Sequence, residues 1–151
     1  MDIPFIEQVK IQARLLVPIL KALQAELGKE HADEIVRKAL EEQMLKMGRE
    51  MRELSKGSSI EKIVASTPFF TAGGALDIKI IEHTPETLKS NVTRCLYAQF
   101  YKEIGEPELG SLLVCSQDFP LYKGLAPDVE FTRTQTIMEG ADHCDFRFQA
   151  K

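Results

Sequence analysis

The stretch from Arg133 to Phe148 holds most of the reactive side chains of this 151-residue chain. His143, Cys144 and Asp145 are consecutive, with Arg133 and Arg147 on either side. A thiol beside an imidazole and a carboxylate has the parts of an activated nucleophile. The thiolate is the attacking species, and a neighbouring imidazolium lowers the thiol pKa enough to populate it near neutral pH. An arginine adds a planar fork that grips a carboxylate through two parallel hydrogen bonds. On a strand, Cys144, Phe146 and Phe148 share one face, while His143, Asp145 and Arg147 share the other. The phenylalanines identify the buried face, so Cys144 is expected to point to the core or to a pocket between sheet and helices. His143 stands at the strand entry, where its ring can turn either way. The ordinary alternative for Cys144 is a small buried hydrophobe. For Arg147 it is a surface ion pair with Asp142 or Asp145.

Two further thiols lie upstream. Cys95 begins one predicted helix, where the helix dipole favours thiolate character. Cys115 ends the next, with Asp118 about one turn beyond. The catalytic candidates are therefore Cys144, His143, Asp145, Cys115 and Asp118, and the substrate-binding candidates are Arg133 and Cys95. Cys95, Cys115, His143, Cys144 and Asp118 also offer nitrogen, sulfur and oxygen donors for a tetrahedral zinc. No CxxC, HxxxH or HExxH spacing supports that zinc, and the reading assigns no metal ligand and no cofactor. Gly73-Gly74 reads as a turn and not a phosphate loop.

These residues need elements to position them. Ile6, Val9, Ala13, Leu16, Leu20, Leu23 and Leu27 recur at helical spacing, with Pro18 predicting a kink or break and Gly28 a C-cap. A second helix is predicted from about Glu30 to Lys56, with Val36, Leu40, Met44, Met47, Met51 and Leu54 on its apolar side as core. The two form a helical hairpin over residues 1–57. Ser58 and Glu61 form a capping box for a short helix to about Ser66, and Thr67–Gly74 reads as a greasy linker. Alternation then predicts strands at Leu76–Ile80 and Leu88–Val92, helices at Arg94–Ile104 and from Pro107 to about Ser116, and strands within Val129–Met138 and Cys144–Phe148. The fold class is α+β. The N-terminal helical hairpin precedes a β-β-α-α-β-β unit over residues 58–151, built on an antiparallel sheet with helices on one face, all in a single domain.

Composition narrows the function classes. Lys and Arg number 19 against 23 Asp and Glu, a formal charge of −4, so no positive excess exists to bind nucleic acid through its phosphates. No apolar run approaches the roughly 18 residues that a membrane span needs. The acidic start MDIPFIEQVK does not read as a secretory leader. Three cysteines without paired spacing do not make a disulfide framework, so the expected setting is cytoplasmic, with reduced thiols.

The order of motifs carries a family likeness. Asn91-Val92-Thr93-Arg94-Cys95, Ala98 to Gly105, Pro107-Glu108-Leu109-Gly110, Cys115 and Asp118 resemble the L-2-amino-thiazoline-4-carboxylic acid hydrolases. So does the ending, Arg133-Thr134-Gln135-Thr136-Ile137-Met138-Glu139-Gly140 and then His143 to Phe148. The resemblance covers this C-terminal part well and the helical half only in general layout. It implies hydrolytic opening of a small, carboxylate-bearing cyclic amidine to a carbamoyl-cysteine, on a route to L-cysteine. On that reading Cys144 attacks the carbon between nitrogen and sulfur, or His143 activates water to do so. Asp145 or Asp118 orients the histidine and Arg133 holds the substrate carboxylate, so Cys144→Ser and His143→Ala each abolish turnover. The layout is also similar to 4-vinyl-reductase-type sensor domains, which bind small ligands near a cysteine-rich metal site; that likeness implies a non-catalytic binding module. The N-terminal helices offer a surface for a homodimer.

Overall fold

The computed structural model describes residues 2–151. Its elements are α1 (Phe5–Leu27), α2 (Lys29–Leu54), α3 (Ser59–Thr71), a 3-10 turn (Ala72–Gly74), β1 (Leu76–His83), β2 (Thr87–Cys95), α4 (Leu96–Glu103), α5 (Pro107–Leu113), a second 3-10 turn (Cys115–Gln117), α6 (Asp118–Leu125), β3 (Val129–Thr132) and β4 (Cys144–Ala150). The four strands form one antiparallel sheet in the order β1-β2-β4-β3. The fold is α+β, with the helical hairpin leading as its pattern predicts.

Helix α1 buries Ile6, Val9, Ala13 and Leu20 on one stripe and runs unbroken through Pro18. Pro18 lies on the exposed side, where the Arg14 carbonyl that loses its partner meets water. Gly28, with φ +83°, separates α1 from α2. Across this corner the buried Asp33 carboxylate accepts from Gln24 Nε2 at 2.7 Å and from Lys29 Nζ at 3.0 Å.

Helix α3 opens on the predicted capping box, with Ser58 and Glu61 each bonding the other's backbone N–H. It does not stop at Ser66. The helix continues through Pro68 to Thr71, replacing the predicted linker, because Phe69 and Phe70 have an aromatic partner to reach. Phe5 lies 5.0 Å from Phe69 and 5.7 Å from Phe70, centroid to centroid.

The strand that looked weaker in sequence is interior. β2 pairs with β1 on one side and β4 on the other, and Leu88, Ser90 and Val92 are buried. Pro107 occupies the first turn of α5 as expected. Helix α6 is an element the periodicity did not predict. It packs on α2 where Gly48 meets Gly124: a Cβ on Gly48 would stand 2.1 Å from the Leu121 carbonyl oxygen, and one on Gly124 2.3 Å from that of Leu45. Backbone touches backbone, which only glycine permits. Strand β3 ends at Thr132, far short of Met138, and residues 133–143 form an ordered loop against β4. The core falls into two clusters. One gathers Ile6, Leu20, Leu109 and Tyr101 under α1, α4 and α5; the other gathers Ile60, Leu125 and Phe148 between α3, α6 and the sheet.

Candidate functional site

A cavity of about 940 Å³ opens between the sheet and the helices. The inner face of the sheet lines it with Leu76, Ile78, Leu88, Val92, Cys144, Phe146 and Phe148. Helices α1, α2 and α3 add Val9, Leu16, Leu40, Met44, Met47 and Ile63, so two of the three methionines expected in the core form part of a cavity wall, while Met51 packs against the core. The lining is mainly apolar, and beside Cys95, Cys115, Gln117, Asp118 and Arg133 polar groups reach it from Gln8, Gln12, Gln43, His83, Ser90 and Thr136, among others. A second, shallower recess of about 490 Å³ shares Cys115, Gln117, Arg133 and Thr136 with the first and adds the charged side chains Arg37, Glu41, Lys123 and Glu139. These four shared residues form a partition between a mainly apolar chamber and a polar recess.

All three thiols reach the chamber. Cys95 is the N-cap of α4, its Sγ accepting from the Ala98 N–H at 3.4 Å. Cys144 opens β4 and accepts from the Ile137 N–H at 3.2 Å. Cys115 sits in the second 3-10 turn. None is activated. Burial pushes the Cys95 thiol up to about 11, and it pushes Cys115 and Cys144 up as well. The expectation of thiolate character at the start of α4 is therefore corrected: desolvation outweighs the backbone N–H groups there.

His143 and Asp145, the expected partners of Cys144, do not line the chamber. The His143 ring bonds Asp142 through Nδ1 at 2.5 Å, and Gln135 Nε2 donates to the His143 carbonyl at 3.0 Å. Asp145 is a staple for the 133–143 loop. Its Oδ1 accepts from the N–H groups of Thr134 and Gln135, both at 2.9 Å, and its Oδ2 from Thr134 Oγ1 at 2.5 Å. Burial works to raise the Asp145 pKa, but those hydrogen bonds outweigh it and hold the carboxyl below its ordinary value. The alternation of β4 accounts for this division, since Cys144 and its two sequence neighbours point to opposite faces. Arg147, on the outer face, is not paired with Asp142 or Asp145. It donates to the Ser90 carbonyl at 2.8 Å and to Asn91 Oδ1 at 3.0 Å.

Arg133 and Asp118 do converge. Arg133 Nη1 meets Asp118 Oδ2 at 2.5 Å, while Nη2 donates to the Cys115 carbonyl at 3.0 Å. The guanidinium, 7% exposed, lies among the rings of Phe119, Phe131 and Phe146, its carbon 5.1, 5.9 and 5.4 Å from their centroids. Three aromatic faces favour a cation there. The expected carboxylate clamp is thus occupied by the protein's own carboxylate. Burial raises Asp118 to about 6, partly offset by the charge and hydrogen bond of Arg133. A carboxylate at that value, facing a cavity, is matched to proton transfer near neutral pH.

Gln117 was not singled out from the sequence. Its Nε2 donates to the Leu112 carbonyl at 2.8 Å, and its buried Oε1 has no partner. Nothing in an amide one place before an aspartate announces this; the signal appears only once the turn is folded. The five groups considered for zinc do not gather either: among the described residues no set of three His, Cys, Asp or Glu side chains is arranged to hold a metal ion.

The family model of L-2-amino-thiazoline-4-carboxylic acid hydrolase matches residues 8–148. The chain belongs to that family. The match extends through both helices of the hairpin, well beyond the C-terminal motifs. No curated protein matches the sequence of this family member. Among solved structures, this hydrolase-family chain is similar to the phenol-responsive sensory domain of the transcription activator PoxR, crystallised with phenol. The TM-score is 0.50 at 12% identity, covering 89% of this chain and 72% of that one. At that identity the likeness speaks of fold alone. Among the described residues no helix is long and apolar enough to cross a membrane.

Proposed function

We propose that this protein hydrolyses a cyclic amidine-type substrate held in the greasy chamber, with Asp118 as the general base. The observation that carries the reading is the Asp118–Arg133 pair on the cavity wall, with the carboxyl raised to about 6. Asp118 takes a proton from a water as its oxygen adds to the carbon between ring nitrogen and sulfur. The carbon–nitrogen π pair goes to nitrogen, which takes that proton back from Asp118; the added hydroxyl then gives its own proton, through Asp118, to the departing heteroatom as the carbonyl forms and the ring bond breaks. For L-2-amino-thiazoline-4-carboxylate the sum of substrate and water is a carbamoyl-cysteine. Base help of this kind contributes about two to four orders of magnitude in rate.

This assigns a lesser part to the thiols. Protonated at neutral pH, they shape the chamber and exclude water, and Cys144 in addition holds the Ile137 N–H. His143 and Asp145 support the loop that carries Arg133. The test is incubation of the purified protein with the thiazoline acid and related cyclic amidines, read by mass spectrometry across pH. Ring opening that rises through about pH 6 fits the reading; ring opening abolished by His143→Ala but unchanged in Asp118→Asn overturns it.

A second reading is a non-catalytic binding module. It is favoured by the mainly apolar lining and the unactivated thiols, and by the likeness in fold to a sensory domain crystallised with phenol. Stoichiometric ligand retention without chemical change, for every cyclic amidine offered, selects it.

A further inference from the structure

The chamber is badly matched to a small carboxylate, and the mismatch is informative about its ligand. Its volume of about 940 Å³ lies near the top of the roughly 300–1,000 Å³ range of pockets that enclose drug-sized molecules. One five-membered ring with a carboxylate fills a small part of that space. The guanidinium that would greet a carboxylate is committed to Asp118 and to the Cys115 carbonyl. Apart from His83, Arg133 is the chamber's only basic side chain among the described residues. An anion entering here would be desolvated without a free cation to meet it.

What the polar wall lacks is donors from a ligand. Gln117 is 5% exposed, and its Oε1 has no partner although its Nε2 is fixed by Leu112. Asp118 engages Arg133 through Oδ2 and makes no hydrogen bond through Oδ1 among the described residues. Two acceptors therefore wait on a wall whose cation is already neutralised. The chamber's solvent-open lining is mixed: Gln12, Gln43 and His83 stand beside Leu15 (69% exposed), Val64, Phe69 and Ile80 (55% exposed), which supply its apolar part.

From these observations we infer that the ligand is an amphiphile: an N–H-donating amidine-type head at Asp118 and Gln117, on an extended apolar body reaching toward Leu15 and Ile80, with no free carboxylate. The inference rests on the chamber being the site proposed above and specifies what that site takes. An apolar body removes the surface of Leu40, Met44, Met47 and Phe146 from water, which a small acid leaves wet.

The experiment is calorimetric titration of the full chain with three probes: 2-amino-thiazoline-4-carboxylic acid, its n-octylamide, and the 2-methyl-thiazoline n-octylamide, which lacks the exocyclic N–H. Mass spectrometry of each mixture records turnover separately. The amino octylamide is expected to bind at least about tenfold tighter than the free acid. It is also expected to bind about tenfold tighter than its 2-methyl counterpart. Gln117→Met should narrow the second gap while leaving the 2-methyl compound's affinity unchanged, a comparison that a merely weakened fold does not mimic. Leu15→Glu should weaken both octylamides and not the acid. Equal or tighter binding of the free acid overturns the inference, and so does failure of all three probes to bind. Tight octylamide binding without ring opening keeps the inference and sinks the hydrolase reading. Ring opening of the acid with no gain from the tail does the reverse.

Discussion

Asp118 and Asp145 are the same residue type within one small fold, and their surroundings drive them in opposite directions. Asp118 faces an apolar chamber with one guanidinium as its partner, and burial raises it to about 6. Asp145 lies on the far side of β4, where three hydrogen bonds from Thr134 and Gln135 overcome burial and lower it. A carboxylate that is fully satisfied holds structure and has nothing left to offer a substrate. One that is held by a single partner, in poor solvent, is ready to exchange a proton. Proximity in sequence to a cysteine and a histidine is the weaker guide.

The contrast can be tested from its strong end. Asp118→Asn is expected to cost about two to four orders of magnitude in turnover with the fold retained, measured as initial rate beside a far-ultraviolet spectrum. Arg133→Met should be worst for stability, by about 3–5 kcal/mol in urea unfolding, because it leaves Asp118 without its counter-charge. Asp145→Ala should cost about 1–3 kcal/mol, having orphaned the Thr134 and Gln135 N–H groups, while turnover by the remaining folded protein changes little.

Stability against pH should also separate the two carboxylates. Asp118 binds its proton more tightly folded than unfolded, so its contribution is largest in acid and is lost as pH rises from about 4 to about 6. Asp145 binds its proton less tightly when folded, so its contribution is present above the ordinary carboxylate pKa and fades as pH falls through its lowered value. Unfolding curves of Asp118→Asn should therefore lack the decline between pH 4 and 6 that the parent shows. The smallest effect is expected at His143→Ala, within about 0.5 kcal/mol and with turnover nearly unchanged, because its ring bonds only to exposed Asp142 and to Gln135. A large loss of activity there would reinstate the nucleophile first read from the sequence.

What could be read from the sequence followed periodicity. The alternation Cys144, Phe146, Phe148 correctly identified the buried face of β4, and Ser58 with Glu61 correctly identified a capped helix start. Where composition and pattern disagreed, tertiary contacts decided. Pro68 and the glycines beyond it argued for a linker, yet the aromatic contact with Phe5 carries α3 to Thr71. Helix α6 was not predicted: its eight residues include Pro120 and Gly124, both poor helix formers, although Gly124 is what lets the helix lie against Gly48. For the site, Arg133, Asp118 and the three cysteines were visible as residue types. Which acid would face the chamber was not, since that depends on where β3 ends and the loop turns. Gln117 carried no signal at all.

The contact between α2 and α6 has a practical corollary. Where Gly48 meets Gly124 the nearest atoms are all backbone, so no soft side chain absorbs an insertion: a single methyl group at either position must move one helix relative to the other. Asp118 is the first residue of the helix so displaced. The placement of Asp118 is thus hostage to the smallest residues in the molecule, at positions that do not line the chamber.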